Sequence, residues 1–396
     1  MISPAESEDV QIGSGCFEGQ EVVARLSRQV EDPAWELFLR GTPLGQYQQS
    51  SLWARAKRTE GWNLFRVRAT ADDRIVGGFQ ILWRPAKLWR IGYISKGPVA
   101  QPEHPLVSEF LVDALRTAAK IGKLSALIIE PPDLSKVIPA TLPRDRFLPN
   151  VLVPLIEATL VVDVSGPMEV IEERISTTTR RLLRQSLRRG AVVREGRRED
   201  LGLFFDLMLA TCRRQGKSAN PGNVEFLHEL WDAAHPADSI RLAFAEHQGG
   251  KVAGMISLSF GDTVTAWKKG WNGSAGDCRP NELLNHDAIQ WAHARGSKFV
   301  DFASMQKSTA LAILRGEALT KEQTEGYDYF NIRFGGQPRL LPDSLIYFPN
   351  WFFRSVYTNR FFRAAYKNRF FHSAYKLFVL RTLRKKPRGR PPQVVT

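Results

Sequence analysis

Short apolar runs broken by glycine-containing turns give residues 241–304 the clearest pattern in the chain. The runs cover residues 241–246, 252–260 and 264–267. They predict antiparallel strands joined by hairpins, because the Gly-Gly-Lys and Gly-Asp segments between them are typical of hairpin turns. Asn281 can cap a following helix, in which Leu284 and Ala288 recur at helical spacing. A short strand over residues 298–302 completes the unit.

The same succession occurs once more, nearer the N-terminus. It consists of apolar runs at residues 66–69, 75–83 and 90–94, a helix at 105–121 and a strand at 126–130. Gly77 and Gly254 follow the hairpin turns of the two copies, and Gly122 and Gly296 follow their helices. The two pairs are separated by the same number of residues to within a few. This constant offset indicates two copies of one fold, and coincidental α/β patterning is the alternative.

The pattern therefore predicts an α/β (α+β) protein of two similar domains, each a mixed, mostly antiparallel sheet flanked by helices. A chain of 396 residues is long enough for two such domains. We expect a disordered N-terminus at 1–19, domain 1 at 20–165 with 337–350 as a candidate addition, domain 2 at 166–336, and a helical tail with a disordered tip at 351–396. Within these, we predict a helix over 20–39, a proline-rich linker or irregular crossover over 131–150, and strands over 326–336 and 339–347.

Charge is concentrated at one end of the chain. Residues 351–396 contain eight Arg, four Lys and no acidic residue, so they carry +12 of the total +14. The remainder is nearly neutral, and the basic character belongs to the tail. No apolar run approaches the ~20 residues of a membrane span, and the N-terminus lacks a secretory signal pattern.

The three cysteines, Cys16, Cys212 and Cys278, are scattered and form no CxxC pair. This spacing predicts neither a metal site nor a disulfide framework, and it fits a reducing cytoplasm.

An arginine run follows the predicted strand over residues 159–164. Arg180, Arg184 and Arg188 fall on one face of a helix. A solvated charged face is one interpretation. The other is a phosphate site, because planar guanidinium groups bind phosphate oxygens bidentately.

Taken in order, a set of motifs resembles the Fem-type (FemABX) peptidyltransferases, which consist of two acetyltransferase-like (GNAT) domains in tandem. The resemblance covers about residues 44–348 and omits the coiled-coil arm of some family members. The motifs are Gln49-Ser50-x-x-Trp53-x-x-x-Lys57, Ser95-Lys-Gly-Pro-Val99, Arg180-x-x-x-Arg184, Thr211-x-x-Arg214-x-Gly216, Pro280-Asn281-x-Leu-Leu284, Gln290-Trp-Ala292, Asp301-Phe302 and Phe330-x-x-x-Phe-Gly-Gly336.

The resemblance implies an enzyme that transfers an amino acid from aminoacyl-tRNA to an amine of a cell-wall precursor, without a metal. It implies that Lys57 and Arg214 contact the precursor, although a surface lysine and a helix-ending arginine are the plainer interpretations. Glu130 stands where the family has Asp-Pro, and we expect it to orient or deprotonate the attacking amine.

The chain departs from the family at Phe330-Asn331, where the family has Phe-Lys. Asn331 can donate a hydrogen bond to an oxyanion but carries no charge. Lys268 and Lys269 lie where family members often have a tyrosine, and they are candidates to supply the missing cation. A CoA-binding Q/R-x-x-G-x-G/A loop has only an approximate match at 213–218, which we interpret as chance.

Within the tail, a Tyr-x-Asn-Arg-Phe-Phe sequence begins at Tyr357 and again at Tyr366. Aromatic residues alternating with cations suit an anionic lipid surface, with tRNA binding and packing on the protein body as alternatives. The residues predicted to face the membrane are Arg360, Arg363, Lys367, Arg369 and Lys376.

These observations lead to one hypothesis and two rivals. The hypothesis is a cytoplasmic N-acyltransferase, peripheral at the inner face of the cell membrane, that acylates a lipid-linked envelope precursor. Its donor is aminoacyl-tRNA or acyl-CoA, and we expect no bound cofactor, metal or DNA. The rivals are an acyl-CoA-dependent enzyme of exopolysaccharide or lipid modification, and a catalytically inactive membrane scaffold.

Overall fold

The computed structural model describes residues 9–86 and 89–359. The elements of the first half are β1 (Val10–Phe17), β2 (Gln20–Ser27), α1 (Pro33–Gly41), α2 (Ser51–Arg58), β3 (Asn63–Ala71), β4 (Arg74–Ala86), β5 (Trp89–Ser95), β6 (Val99–Ala100), α3 (Pro105–Ile121), β7 (Ala126–Glu130), α4 (Val137–Thr141) and β8 (Phe147–Pro149).

The elements of the second half are β9 (Ala158–Asp163), α5 (Met168–Arg174), α6 (Thr177–Arg188), β10 (Val192–Glu195), α7 (Leu201–Arg214), α8 (Glu225–Ala234), β11 (Ile240–His247), β12 (Gly250–Phe260), β13 (Thr263–Trp271), α9 (Pro280–Ala294), β14 (Phe299–Asp301), α10 (Lys307–Leu314), α11 (Lys321–Glu325), α12 (Tyr327–Ile332), β15 (Gln337–Leu340), β16 (Leu345–Tyr347) and α13 (Trp351–Thr358). In the part of the chain that the structure describes, no helix is both long and apolar enough to span a membrane.

Strand pairing sorts these elements into two sheets of the same design. The first sheet runs β1-β2-β3-β4-β5-β7-β16-β8, with β6 beside β4, and the second runs β10-β11-β12-β13-β14-β9-β15. In each, three antiparallel strands lead through a helix to a strand that pairs parallel with the third, namely β5 with β7 and β13 with β14. The predicted internal repeat and the mixed, mostly antiparallel sheets are confirmed.

The two halves also exchange strands. β9 precedes the predicted domain boundary at residue 165 but pairs with β14 and β15 in the second sheet. β16 comes from the end of the chain and inserts between β7 and β8 in the first sheet. We therefore propose that domain 2 begins at β9 and that β16 completes domain 1, since hydrogen bonding rather than chain order defines each unit.

The N-terminal segment differs from the prediction. Residues 10–17, expected to be disordered, form β1, and residues 20–39, expected to be one helix, form β2 and most of α1. The turn between the strands places both Glu18 and Gly19 at positive φ (48° and 82°), the conformation of a two-residue hairpin loop. In β2, Val22, Ala24 and Leu26 are buried at two-residue spacing, which is a strand period.

The predicted strand over residues 326–336 is also wrong, because residues 327–332 form α12. Phe330 and Phe334 are four residues apart and pack together, with ring centroids 5.8 Å apart. That spacing is helical, and the strand begins only at Gln337. The proline-rich segment 131–150 contains α4 and β8 rather than being a simple linker.

An aromatic cluster joins the two halves. Trp53 of α2 contacts Phe226 of α8 and Trp267 of β13, with ring centroids 5.4 and 5.7 Å away. Edge-to-face rings of this kind add to the gain from burying apolar area. The side chains that approach this cluster from either half are therefore held in one relative position.

A buried glutamine replaces strand pairing in the first half. β4 pairs with β5 along one part and with β6 along another, and Gln49 fills the break between them. Its Oε1 accepts from the Gln80 N–H at 2.6 Å, and its Nε2 donates to the Ser95 carbonyl at 2.6 Å. Gln49 therefore satisfies backbone groups that would otherwise be unpaired.

We predict that Gln49→Leu destabilises the protein by about 2–4 kcal/mol, because it leaves two buried backbone groups without partners. Chemical denaturation would measure this loss. The control is Gln11→Leu on exposed strand β1, which should change the free energy of unfolding by less than about 0.5 kcal/mol. Equal effects of the two substitutions would contradict the bridging role.

Candidate active site

The second half has an opening where its parallel strands separate. β13 pairs with β14 only over Thr263 to Thr265 and then continues alone on that side to Trp271. An irregularity in the β12–β13 register, between Ile256 and Ser257, accompanies this change. Backbone edges that diverge in this way leave room for a ligand between them.

A cavity of about 350 Å³ lies at the end of β13, beyond its pairing with β14. Its walls come from the end of α7, the end of β13, the start of α9, and α12. The lining residues used below are Arg214, Lys269, Trp271, Arg279, Glu282, Tyr327 and Phe330.

Lys269 is the central cation of the cavity. Its Nζ lies 5.3 Å from the ring centroid of Phe302, 5.9 Å from that of Tyr327 and 5.6 Å from that of Phe330. The ammonium donates a hydrogen bond to Asn285 Oδ1. None of the ion pairs formed among the described residues involves Lys269, so the aromatic faces and one amide are its main partners.

This environment destabilises the charged form of the lysine. Burial lowers the pKa of Lys269 below its ordinary value, and the Tyr327 hydroxyl and the charge of Glu282 offset part of that effect. A desolvated cation without a directly paired carboxylate interacts strongly with a negative charge that develops next to it.

Two buried amides extend the site behind Lys269. Asn285 Nδ2 donates to Asn331 Oδ1 at 3.0 Å, and both residues are fully buried. Asn331 Nδ2 has no hydrogen-bond partner within the described ranges. An unpaired buried donor is costly, so its presence beside the cavity favours a role in binding.

Positive groups also surround the cavity entrance. Arg214 donates to the Trp271 carbonyl at 2.6 Å, and its guanidinium lies 4.9 Å from the Trp271 ring centroid. Arg279 precedes α9 at a positive φ of 49°, so it lies beside the N-terminal end of that helix. The free N–H groups and the dipole at a helix N-terminus favour anions.

A pair of lysines, Lys57 and Lys268, lies at the junction of the two halves. Lys57 Nζ is 2.7 Å from Glu60 Oε2 and about 5 Å from the rings of Trp53 (5.2 Å) and Phe226 (5.1 Å). Burial lowers the pKa of Lys268, and the neighbouring charge of Lys57 lowers it further. Two mutually repelling cations with one nearby carboxylate are a suitable site for an anionic group.

Glu130, the predicted base, is engaged on both oxygens. Oε1 is 3.0 Å from Lys96 Nζ, while Oε2 accepts from the Tyr93 hydroxyl at 2.5 Å and the Ser95 hydroxyl at 2.9 Å. Lys96 also contacts Asp133 at 2.7 Å. Glu130 does not line the cavity, and this network engages both of its oxygens.

The remaining predicted residues separate into three groups. Arg214 and Phe330 line the cavity with Asn331 behind them, and Lys57 and Lys268 lie at the junction of the halves. Arg184 is exposed on α6 and Arg180 is partly buried, and neither lines the cavity. The predicted membrane residues Arg360, Arg363, Lys367, Arg369 and Lys376 lie outside the described residues.

Sequence reasoning missed Asn285 and Tyr327 and named Lys269 only as an alternative. A signal for the first was present, because Glu282 and Asn285 are polar residues three apart in a helix and both are buried. Buried polar side chains on one helix face indicate a polar site. Among residues 9–86 and 89–359, no group of three or more His, Cys, Asp or Glu side chains is arranged to hold a metal ion.

Comparisons with known proteins agree with this architecture. A family model described as an acetyltransferase (GNAT) domain matches residues 174–308. The Lipid II:glycine glycyltransferase of Staphylococcus saprophyticus is 27% identical over 226 residues, which is 52% of this chain and 52% of that protein. The same-named protein of Staphylococcus haemolyticus is 26% identical over 219 residues, 50% of each chain. The chain spans about half the length of the curated relatives it matches.

Among solved structures, the crystal structure of FemX superposes with a TM-score of 0.67 at 16% identity, covering 80% of this chain and 96% of that one. The repeated sheets and the GNAT match define a tandem GNAT-fold protein. Within that class it is similar to Fem-type proteins, in agreement with the ordered motifs.

We predict opposite effects from removing two lysines. Lys269→Met should stabilise the protein at pH 7, by about 1.4 kcal/mol for each unit by which folding lowers the pKa. Lys96→Met should cost about 3–5 kcal/mol, because it leaves Glu130 and Asp133 without their cation. Burial lowers the pKa of Lys96, but the two carboxylates outweigh burial and raise it.

The pH dependence follows from these directions. Between the lowered pKa of folded Lys269 and its ordinary value, the unfolded state binds more protons than the folded state. The free energy of unfolding therefore rises with pH in this range, and Lys269→Met should lack this rise. The contribution of Lys96 is complete below its unfolded pKa and is lost as pH rises through its folded pKa. Denaturant titrations from pH 7 to 10.5 would test Lys269, and their continuation above pH 10.5 would test Lys96. A large loss of stability in Lys269→Met would contradict the assignment.

Proposed function

We propose that this protein is an N-acyltransferase that moves an aminoacyl group from aminoacyl-tRNA to an amine of a lipid-linked peptidoglycan precursor. The observation that carries the proposal is the cavity at the free end of β13, with the desolvated cation Lys269 in its lining. The names of the curated relatives, Lipid II:glycine glycyltransferase, support the acceptor class and the aminoacyl group.

The cavity suits the end of an aminoacyl-tRNA as donor. Arg214, Arg279 and the start of α9 favour phosphate oxygens. The exposed ring of Tyr327 and the partly buried ring of Trp271 provide surfaces on which a base can stack. Placed in this way, the donor brings its ester carbonyl towards Lys269.

The acceptor approaches from the junction between the halves. Lys57 and Lys268 are available for the diphosphate of a lipid-linked precursor, and the aromatic cluster holds them in a fixed relative position. Because Lys268 and Lys269 are adjacent in β13, the acceptor site and the donor cavity share one strand. Consecutive side chains project from opposite faces of a strand, so transfer requires the acceptor amine to pass the free edge of β13 to reach the cavity.

In the proposed step, the amine lone pair attacks the ester carbonyl carbon and forms a new C–N bond. The carbonyl π electrons move to oxygen, where the charge of Lys269 and the amide of Asn331 stabilise the oxyanion. Collapse breaks the C–O bond to the tRNA ribose, and the proton released by the amine goes to the leaving ribose oxygen. Glu130, with Lys96, stabilises domain 1 in this mechanism and does not accept the proton.

An acyl-CoA donor is the second candidate. The loop before α9 contains Gly273 and Gly276 and leads directly into the helix, a geometry that can bind a pyrophosphate. Under either donor, a lipid-linked acceptor would bring the protein to the cytoplasmic face of a membrane as a peripheral enzyme.

Donor consumption tests the reaction. Incubation with lipid-linked precursor and radiolabelled aminoacyl-tRNAs, or with labelled acetyl-CoA, should transfer label only from an aminoacyl-tRNA. Mass spectrometry of the product should show a new amide. Transfer from acetyl-CoA alone would favour the second candidate, and transfer from neither donor would support a scaffold.

Lys269→Met should lower kcat by about 10²- to 10³-fold with a smaller change in KM, because a charge that acts mainly in the transition state is removed. Steady-state kinetics with saturating donor would measure this. Lys321→Met on exposed helix α11 is the matched control and should retain full activity. Unchanged kcat in Lys269→Met would exclude Lys269 from the chemistry.

A further inference from the structure

Helix α13 presents apolar side chains to solvent. Trp351 is 76% exposed, Phe352 54% and Val356 40%. Large apolar residues exposed singly are common, but three within one eight-residue helix form a patch. Because Phe352 and Val356 are four residues apart, they share one face of the helix.

The helix is firmly attached through its other side. The buried Tyr357 hydroxyl donates to the Pro149 carbonyl at 2.5 Å and accepts from the Val151 N–H at 3.1 Å. Phe353 packs against Trp89 of β5, with ring centroids 4.9 Å apart. The apolar face is therefore held by domain 1 and does not depend on a loosely attached segment.

Neighbouring residues extend the patch beyond the helix. Trp89 is 49% exposed beside Phe353, and Val151 is 51% exposed beside Tyr357. We call the set Trp89, Val151, Trp351, Phe352 and Val356 the aromatic face. Two tryptophans with a polar N–H on an apolar ring are typical of side chains at a membrane–water interface.

Cations surround the aromatic face. Arg354 projects from α13 and donates to the Asp145 carbonyl, so the exposed Arg144 and Arg146 lie close by. The chain then continues from α13 into the most basic part of the sequence, in which residues 351–396 have no acidic side chain. Positive charge around an apolar face is the combination that binds anionic lipid.

The sequence of α13 recurs in that basic part. Phe352-Phe353-Arg354 with Tyr357 is followed nine residues later by Phe361-Phe362-Arg363 with Tyr366, and then by Phe370-Phe371-His372 with Tyr375. Within α13, Phe353 and Tyr357 contact domain 1, and Phe352 faces outward.

We propose that the aromatic face is a membrane-docking surface that inserts Trp351 and Phe352 into the headgroup region of an anionic bilayer. The inference rests on the proposed function only in that a lipid-linked acceptor brings the enzyme to a bilayer. The apolar side chains supply burial, and the surrounding arginines supply attraction to anionic headgroups.

Co-sedimentation of the full chain with vesicles, in the absence of substrates, tests the docking surface. Vesicles rich in phosphatidylglycerol should bind the unchanged protein, and the double variant Trp351→Ser, Phe352→Ser should bind about tenfold more weakly. Leu37→Ser is the matched control, since Leu37 on α1 is as exposed as Trp351, and it should bind like the unchanged chain. Trp351→Ser alone serves if the double variant does not fold.

Two outcomes would overturn the proposal. The first is vesicle binding by the double variant that equals that of the unchanged protein. The second is weaker binding of single-stranded RNA by that variant with unchanged vesicle binding. Transfer to a soluble precursor analogue should persist in the double variant, so failure of the proposed reaction is distinguishable from failure of docking.

Discussion

The separation of one parallel strand pair is the constraint on which the site depends. Both halves pair their third and last strands in parallel, but β13 leaves β14 after three residues and exposes backbone and side chains at the opening. In the first half, the corresponding strands β5 and β7 stay paired up to Ser95 and Glu130, where both strands end, so no such opening forms. Gene duplication can account for the shared design, and the strand separation in the second copy leaves room for a ligand.

Two lysines illustrate the same asymmetry in electrostatic terms. Lys96 lies between Glu130 and Asp133, so its charge is neutralised and stabilises domain 1. Lys269 is surrounded by aromatic rings and amides, and folding makes its charge less favourable. A site that retains an unfavourable charge in a cavity is more consistent with function than with stability, since an apolar side chain would fold better there.

Strand exchange gives the two halves a fixed relation. β16 returns to the first sheet after the whole second half has been formed, and β9 joins the second sheet before most of that half begins. With the aromatic cluster of Trp53, Phe226 and Trp267, this pairing limits relative motion of the halves. Lys57 and Lys268 approach each other from different halves, so their spacing depends on that rigidity.

Local patterns in the sequence determined the repeat, the order of strands within each copy and the class of protein. Alternation and helical spacing are local properties that strongly favour one element type, as in 252–260 and 105–121. They were weaker at residues 10–27, where the Glu18–Gly19 turn was overlooked, and at 326–336, where glycines on both sides concealed the short helix α12.

Only the tertiary structure decided which charges are neutralised. Glu130 was a reasonable base from its place at the end of a strand, but Lys96, Tyr93 and Ser95 occupy its oxygens. Lys269 and Asn285 are sixteen residues apart in sequence and meet because β13 and α9 pack together. The pKa and the role of a side chain depend on partners that folding brings from distant positions, so spacing along the chain could not assign them.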